Sequence, residues 1–511
     1  MTSTKVAPEG GDDLAAIARG GRTNFFGFVL RLAARLPFLF IAGRIYGAEA
    51  LGRFAYAVLI VEFAAQLATL GLKRGLAQQL SQTDQPHECV VWDAMLVALT
   101  ASAIATVILA MFPHAMFPNS NIHGVEWLLP LVVAAVALTE VALAALAYRR
   151  NVRATVVSRA IVEPWTLSFA ALILSFLSSR DGLIIAYVVS MAASLFAALI
   201  PLLKSYGFPR GWRPRPGALW KMARRNTPLA GADAIEWSTR RIDIAILGLF
   251  FSPAVVGVYY VAQQVASLPQ KLKTSFDPIL SPVITQKLAI GDKAAVARQV
   301  RQVGFWIIGA QAGVALALGI PGDAVMGLVG PAFLGGTVAL AFLLAAEVVA
   351  ATAAVAEGAL VFTARHRNLM ISTAMIALQG AMTVGLILLA RDLGWSEEWQ
   401  TGMPAAALML SLGLSSILKA RLLSRLLGAP VQSWRWPLIW AALAAMAVGH
   451  LILLLPRWLE FIELIVGIPA ILLTFGWVLW RWGFTAEDRA LFKTKKGEEP
   501  TLPPPGTSEP L

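Results

Sequence analysis

The chain has 511 residues, 58% of them hydrophobic and 14% charged, with a mean hydropathy of +0.69 and a formal net charge of +12. One water-soluble core cannot hide that much apolar surface, whereas a bundle in a bilayer exposes it to lipid, so the composition argues against a soluble globular protein. The basic residues are spread through short loops between apolar runs instead of forming one patch, which argues against nucleic acid as a partner.

In chain order, the polar N-terminal stretch with Pro8, Gly10, Gly11, Asp12 and Asp13 reads as a cytoplasmic segment, 1–22, without a cleaved signal peptide. A helix crossing the hydrocarbon needs about 20 mainly apolar residues. That criterion predicts spans near 24–46, 54–80, 91–112, 125–147, 158–179 and 183–204. After a basic linker at 206–226, further spans are expected near 227–250, 254–286, 302–321, 337–362, 368–390, 401–420, 437–455 and 461–481. The expected fold is therefore an all-α polytopic membrane protein of about fourteen transmembrane helices. Its parts are a first six-helix lobe (23–205), a second (227–423), two added C-terminal helices (424–482) and a charged, Pro-rich cytoplasmic tail (483–511) expected to be disordered. Cys89 is the only cysteine, so neither a disulfide framework nor a thiolate metal cluster is available.

Loop charge orients this map. Every second loop is basic: 149–159 (with Arg159), 204–225, 287–301, 365–367 and 419–435 (with Lys419). The intervening loops 113–124, 251–253 and 322–336 contain neither Lys nor Arg. The positive-inside rule places the basic loops and both termini in the cytoplasm, and the protein in the inner membrane.

Residues 44–57 (RIYGAEALGRFAYA) resemble 249–262 (LFFSPAVVGVYYVA), each a helix end, a short turn, then glycine and aromatics opening the next helix. This likeness implies a duplication of six helices, with both halves entering the membrane in the same orientation.

Ionisable groups in hydrocarbon cost about 2.5–3.5 kcal/mol each on insertion scales, so they are expected to face a cavity or a partner. They concentrate in four spans. The first carries Asn24, Arg31 and Arg35 on one face, and the second Glu62, Gln66, Thr69 and Lys73. The seventh carries Asp233, Glu236, Arg240 and Asp243, with Arg241 alongside. The eighth carries Gln264, Ser267, Lys271 and Thr274, with Lys273 and Asp277 nearby. Spans one and two correspond to seven and eight in a duplicated chain, the positions expected to line a cavity on the pseudo-symmetry axis. Mutual neutralisation of Glu236, Arg240 and Asp243 is the alternative reading, since they lie at helix-neighbour spacing. Arg44, Lys73 and Arg74 sit near span ends and could snorkel to the interface. Glu140, Glu163, Glu347 and Glu357 read as isolated carboxylates open to neutralisation by desolvation.

Enzyme signatures are absent. The sequence contains no Walker A motif, and the histidines are dispersed without ligand spacing. The pattern is that of a carrier with no resident cofactor. A membrane enzyme or polymerase acting on lipid-linked sugars would need a large extracytoplasmic loop, which the span map does not leave room for.

The segment 43–82, with Gly47, Gly52, Phe54 and Ala55 and then Gly71, Leu72, Lys73 and Arg74, resembles the N-terminal signature of polysaccharide and oligosaccharide flippases. These belong to the multidrug, oligosaccharidyl-lipid and polysaccharide exporter superfamily. The resemblance implies a V-shaped two-lobed bundle with spans 1, 2, 7 and 8 around a central cavity. It further implies export of an undecaprenyl-diphosphate-linked glycan for polysaccharide or lipopolysaccharide assembly, beside a polymerase and a chain-length regulator. Arg31 and Arg35 match the cavity cations thought to hold the lipid diphosphate, with Lys271 a weaker match and Lys273 and Arg240 further candidates. Asn24, Gln66, Gln264 and Ser267 would line the watery cleft. Glu62, Asp233, Glu236 or Asp277 would serve a proton or sodium ion coupled to transport. The alternative within the superfamily is a cation-coupled multidrug or small-molecule antiporter, which the basic lean of spans one and eight disfavours.

Overall fold

The computed structural model describes residues 36–120, 122, 124–209, 211–274, 284, 287–288, 291–454, 463–485 and 488. Among them every regular element is a helix. The first group comprises α1 (Gly47–Ala68), α2 (Leu72–Gln82), α3 (His87–Met111), α4 (Leu129–Tyr148), α5 (Val152–Ser175) and α6 (Gly182–Tyr206). The second comprises α7 (Pro216–Ser238), α8 (Ile242–Phe250), α9 (Pro253–Thr274), α10 (Lys293–Gly319), the short α11 (Gly322–Val329), α12 (Thr337–Thr363), α13 (Arg365–Asp392) and α14 (Glu397–Leu427). Two more, α15 (Pro437–Leu453) and α16 (Ile468–Val478), pack on each other and, through α10, on the second group.

Ten helical runs among the described residues are long and apolar enough to cross a membrane, which makes the chain a multi-pass membrane protein. The predicted first span lies mostly outside the described residues. The seventh falls short because the chain breaks at Thr239–Arg241 between α7 and α8, where charged residues crowd the sequence. The predicted loop between spans one and two proves to be a single-residue turn. A π-helical turn, Ala42–Tyr46, runs directly into α1 at Gly47, whose φ of 83° lets the chain change direction without a Cβ clash.

Packing follows membrane logic. Apolar side chains gain nothing by leaving lipid, so close backbone approach does the joining, and the interior is rich in fully buried alanines such as Ala57, Ala65, Ala137, Ala145, Ala186 and Ala262. Large apolar side chains such as Ile104, Phe176, Leu177 and Phe196 are exposed, as a lipid-facing surface requires. Trp434, Trp436 and Trp440 at the start of α15, with Trp477, Trp480 and Trp482 at the end of α16, form an exposed aromatic belt at the level of the basic loops.

The core is divided unequally. At the end opposite the basic loops one cluster runs through both groups, joining Phe38, Leu51 and Phe54 to Leu247, Val256 and Tyr259. At the basic-loop end there are two separate clusters. One, around Leu72, Leu76, Val91 and Leu146, belongs to the first group, with Leu219, Met222 and Ala223 of α7 packed against it; the other, around Val300, Phe305, Ala356 and Leu438, belongs to the second group and the C-terminal pair. The groups touch each other mainly through α1 and α2 on one side and α7, α8 and α9 on the other.

Candidate functional site: the charged seam between the two helix groups

Two broken helices build the seam. Between α1 and α2 the chain takes positive φ at Leu70 (48°) and Gly71 (71°). A methyl group at Gly71 would lie 2.6 Å from the carbonyl oxygen of Asn226 and 2.7 Å from the amide nitrogen of Ala230, so only glycine lets α2 and α7 approach this closely. The second break, Thr239–Arg241, lies on the facing element. Each break lets the chain present charged residues where a continuous apolar helix would not.

Across the seam Arg74 Nε lies 2.7 Å from Asp233 Oδ1, and Arg74 Nη2 lies 2.5 Å from Glu236 Oε2. Nearer the shared core, Arg241 Nη1 and Glu62 Oε2 are 3.5 Å apart. The helices run antiparallel, so acid above base on one side meets base above acid on the other. Arg74, Glu236, Glu62 and Arg241 all keep substantial exposure, and ion pairs of that kind contribute only about 0–1 kcal/mol each. Asp233 is the exception: it is buried, so parting Arg74 from it is the costly step in separating the seam.

Behind it, each group neutralises a carboxylate of its own, half-buried in the first group and buried in the second. In the first, Glu140 of α4 accepts from Lys73 at 3.0 Å and from Arg159, whose other nitrogen reaches Glu163 at 2.5 Å. Arg159 lies in a π-helical turn, Val157–Val162, inside α5. In the second, Glu347 of α12 pairs with Arg240, and Glu357 lies 3.3 Å from the buried Lys419 of α14. These partners correct the reading of four isolated carboxylates. They also move Arg159 and Lys419 from basic loops into helices, because long cations and distant carboxylates meet across helices that linear spacing cannot pair.

The predicted site residues divide as follows. Asn24, Arg31, Arg35 and Asp277 lie outside the described residues. Lys271 and Lys273 belong to the last turn of α9, and the description does not extend to their side chains. Arg240 is held by Glu347, and Glu62, Asp233 and Glu236 are all engaged across the seam. Neutralisation within one helix is thus replaced by pairing between helices, and Lys73 and Arg74 turn inward to carboxylates. Gln66 and Gln264 are half-buried, and Ser267 donates to the carbonyl of Gln264 at 2.7 Å, back onto its own helix.

Asp243 was part of the charged stripe but not among the candidates. It is fully buried, accepts 2.5 Å from the hydroxyl of Tyr259, and lies 3.5 Å from Gln263 Nε2. Its Oδ1 has no side-chain hydrogen-bond partner. The register that aligns 44–57 with 249–262, extended backward, sets Phe38 opposite Asp243 and Phe54 opposite Tyr259. Phe38 and Phe54 also touch each other, with ring centroids 5.8 Å apart. The same packing position is filled by an aromatic pair in one group and by an acid and a phenol in the other. That comparison between the halves was available in the sequence.

The described residues thus form an all-helical, multi-pass bundle of two helix groups meeting on a charged seam. The comparisons agree. Residues 41–307 match the family model described as polysaccharide biosynthesis protein, and the chain belongs to that family. No curated protein matches it in sequence. Among solved structures it is similar to a lipid II flippase, MurJ, in an inward closed conformation (TM-score 0.65, 11% identity, covering 91% of this chain and 99% of that one). It is also similar to a multidrug resistance MATE family transporter of the MOP superfamily in an inward-facing conformation (TM-score 0.63, 13% identity, 78% and 94% covered). Against an outward-facing conformation of such a transporter the TM-score is 0.51, at 14% identity with 80% and 96% covered. The chain thus has the fold of this superfamily's flippases and transporters.

Proposed function

We propose that this protein is a flippase that moves an undecaprenyl-diphosphate-linked oligosaccharide from the cytoplasmic to the extracytoplasmic leaflet of the inner membrane by alternating access. The observation that carries the reading is the divided core: one shared cluster at the end opposite the basic loops and two separate clusters at the basic-loop end. Two bodies joined at one end can rock, and a headgroup can enter from the other. The better fit to inward-facing than to outward-facing relatives supports the same state, and the polysaccharide biosynthesis family supports the cargo. With the basic loops cytoplasmic, the end with separate apolar clusters, joined there by the α2–α7 contact, would face the leaflet on which the lipid-linked glycan is made.

A diphosphate carries charge that cannot cross hydrocarbon unaided. Guanidinium groups on Arg31 and Arg35 would offer it paired donors, with Lys271 and Lys273 contributing from the end of α9. Arg240 is less available, being held by Glu347. The prenyl tail would stay in lipid. Coupling to a proton or sodium ion is better assigned to Asp243 than to Glu62, Asp233 or Glu236, which are engaged as ion-pair partners in this state. The test is Arg31→Ala with Arg35→Ala, measuring surface polysaccharide at equal membrane abundance. Export should fall by about a hundredfold, equivalent to ~2.7 kcal/mol. Unchanged export would remove the two arginines from the mechanism.

A further inference from the structure

The end where the two groups share a core is closed by contacts that repeat in the register of the internal likeness. That register sets Gly52 opposite Gly257, and Ala48 opposite Pro253. A methyl group at Gly52 would overlap the carbonyl oxygen of Pro253 and lie 2.7 Å from the amide nitrogen of Gly257. A methyl group at Gly257 would overlap the carbonyl oxygen of Ala48 and lie 3.0 Å from the amide nitrogen of Gly52. Each glycine meets the other, and each meets the residue that is the counterpart of its own neighbour's contact. This is a self-complementary crossing of α1 and α9, of the kind found on a two-fold axis.

Around the crossing the pattern continues. Gly43, counterpart of Gly248, packs against Val329 and Phe333 of the second group, while Gly248 packs against the ring of Tyr56 of the first. Helix C-termini leave carbonyls unpaired, and here the opposite group satisfies them. Asn119 Nδ2 donates to the carbonyls of Gly248 and Phe251 at the end of α8, both at 2.9 Å. Arg44 Nε donates to the carbonyl of Leu328 at the end of α11, at 3.1 Å. Tyr56 donates to the carbonyl of Ala245 at 3.3 Å. The cavity left beneath Asn119, Tyr56 and Gly52 measures only about 20 Å³, room for a single water.

We propose that the Gly52–Gly257 crossing, with the Asn119 and Arg44 caps, is a gate that opens as one unit to release cargo at the end opposite the basic loops. The proposal rests on the alternating-access reading. Among the described residues no ion pair joins the two groups at this end, so opening strands no buried charge. The carbonyls uncapped by Asn119 and Arg44 exchange one hydrogen bond for another with incoming water. Glycine-to-glycine contact closes tightly because the backbones themselves meet, and it holds only while they fit.

The test uses the full chain with Cys89→Ser. In one arm Asn119→Cys and Phe251→Cys are joined by a short thiol cross-linker in cells. Export of surface polysaccharide should stop when the bridge forms and return on reduction. In the second arm Tyr56→Cys is labelled with a membrane-impermeant maleimide from the face opposite the basic loops. Gly52→Ala, which props the crossing, should raise the labelling rate by about tenfold. Labelling does not depend on the cargo. Faster labelling together with export indifferent to Arg31→Ala and Arg35→Ala would support the gate while removing the two arginines from the proposed mechanism. Full export through a bridged protein, or labelling unaffected by Gly52→Ala, would overturn the gate. Should Gly52→Ala not reach the membrane, the reversible bridge decides alone.

Discussion

At Asp243 the molecule offers its own control experiment. Phe38 and Phe54 show that this position between two helices packs with aromatic rings alone, so the acid at Asp243 and the phenol at Tyr259 answer to something other than packing. Replacing Asp243 by Asn keeps an acceptor for the Tyr259 hydroxyl and removes the charge. Transport should drop by about tenfold or more, ~1.4 kcal/mol in the barrier, and lose its dependence on an imposed ion gradient. The pair Asp243→Phe with Tyr259→Phe copies the other half and should still reach the membrane while failing to couple. Proteoliposome transport with and without a gradient measures both. Full, gradient-dependent transport by Asp243→Asn would exclude this carboxylate from coupling. Other acids were legible as charges in the sequence, but their partners were not. Glu140 and Arg159, or Arg240 and Glu347, sit far apart along the chain and meet only once helices pack.

At the scale of elements, the C-terminal pair is pinned by one carboxylate. Asp488 is fully buried and accepts from Arg435 Nη1 at 2.7 Å, from Gln302 Nε2 and Trp306 Nε1 at 3.0 Å, and from Thr485 N and Oγ1 at 2.9 and 2.8 Å. Arg435 in turn lies 3.9 Å over the ring of Phe305. Burial alone would raise the Asp488 pKa, but the bonds from Arg435, Thr485 and Gln302 outweigh it and hold the group at about 2, below the ordinary 3.8. Because the folded value is depressed, its stabilisation is complete above the ordinary value and is lost as pH falls from about 4 toward 2. Replacing Asp488 by Ala should cost on the order of 3 kcal/mol, loosening α15 and α16 from α10 and flattening the acid limb of the stability profile. Thermal unfolding in detergent against pH would show it; an unchanged profile would mean the cluster does not hold the pair. Nothing in the linear sequence pointed to Asp488, which lies in a segment read as a disordered tail. The break between α1 and α2 was half visible: Gly71 stood out as part of a signature, but the close approach of α7 that requires glycine there did not.

For the whole molecule, apolar run lengths and alternating loop charge were enough to anticipate a multi-pass helical bundle, because the bilayer imposes both. The seventh span was the hardest to fix, since its charges and the break at Thr239–Arg241 dilute its hydropathy. The relation between the groups was legible only in outline, through the internal likeness of 44–57 to 249–262 and the two-lobed bundle that the family resemblance implied. That one end shares a core while the other is divided follows from tertiary contacts that periodicity does not record. The proposed function depends on that division being reversible. The most direct measurement is electron–electron distance spectroscopy on two spin-labelled pairs in proteoliposomes: Arg153 with Arg367 at the basic-loop end, and Phe112 with Leu393 at the opposite end. The account predicts that as the first distance shortens the second lengthens, each with two populations under transport conditions. Distances that stay single and fixed at both ends, or that move together, would contradict it.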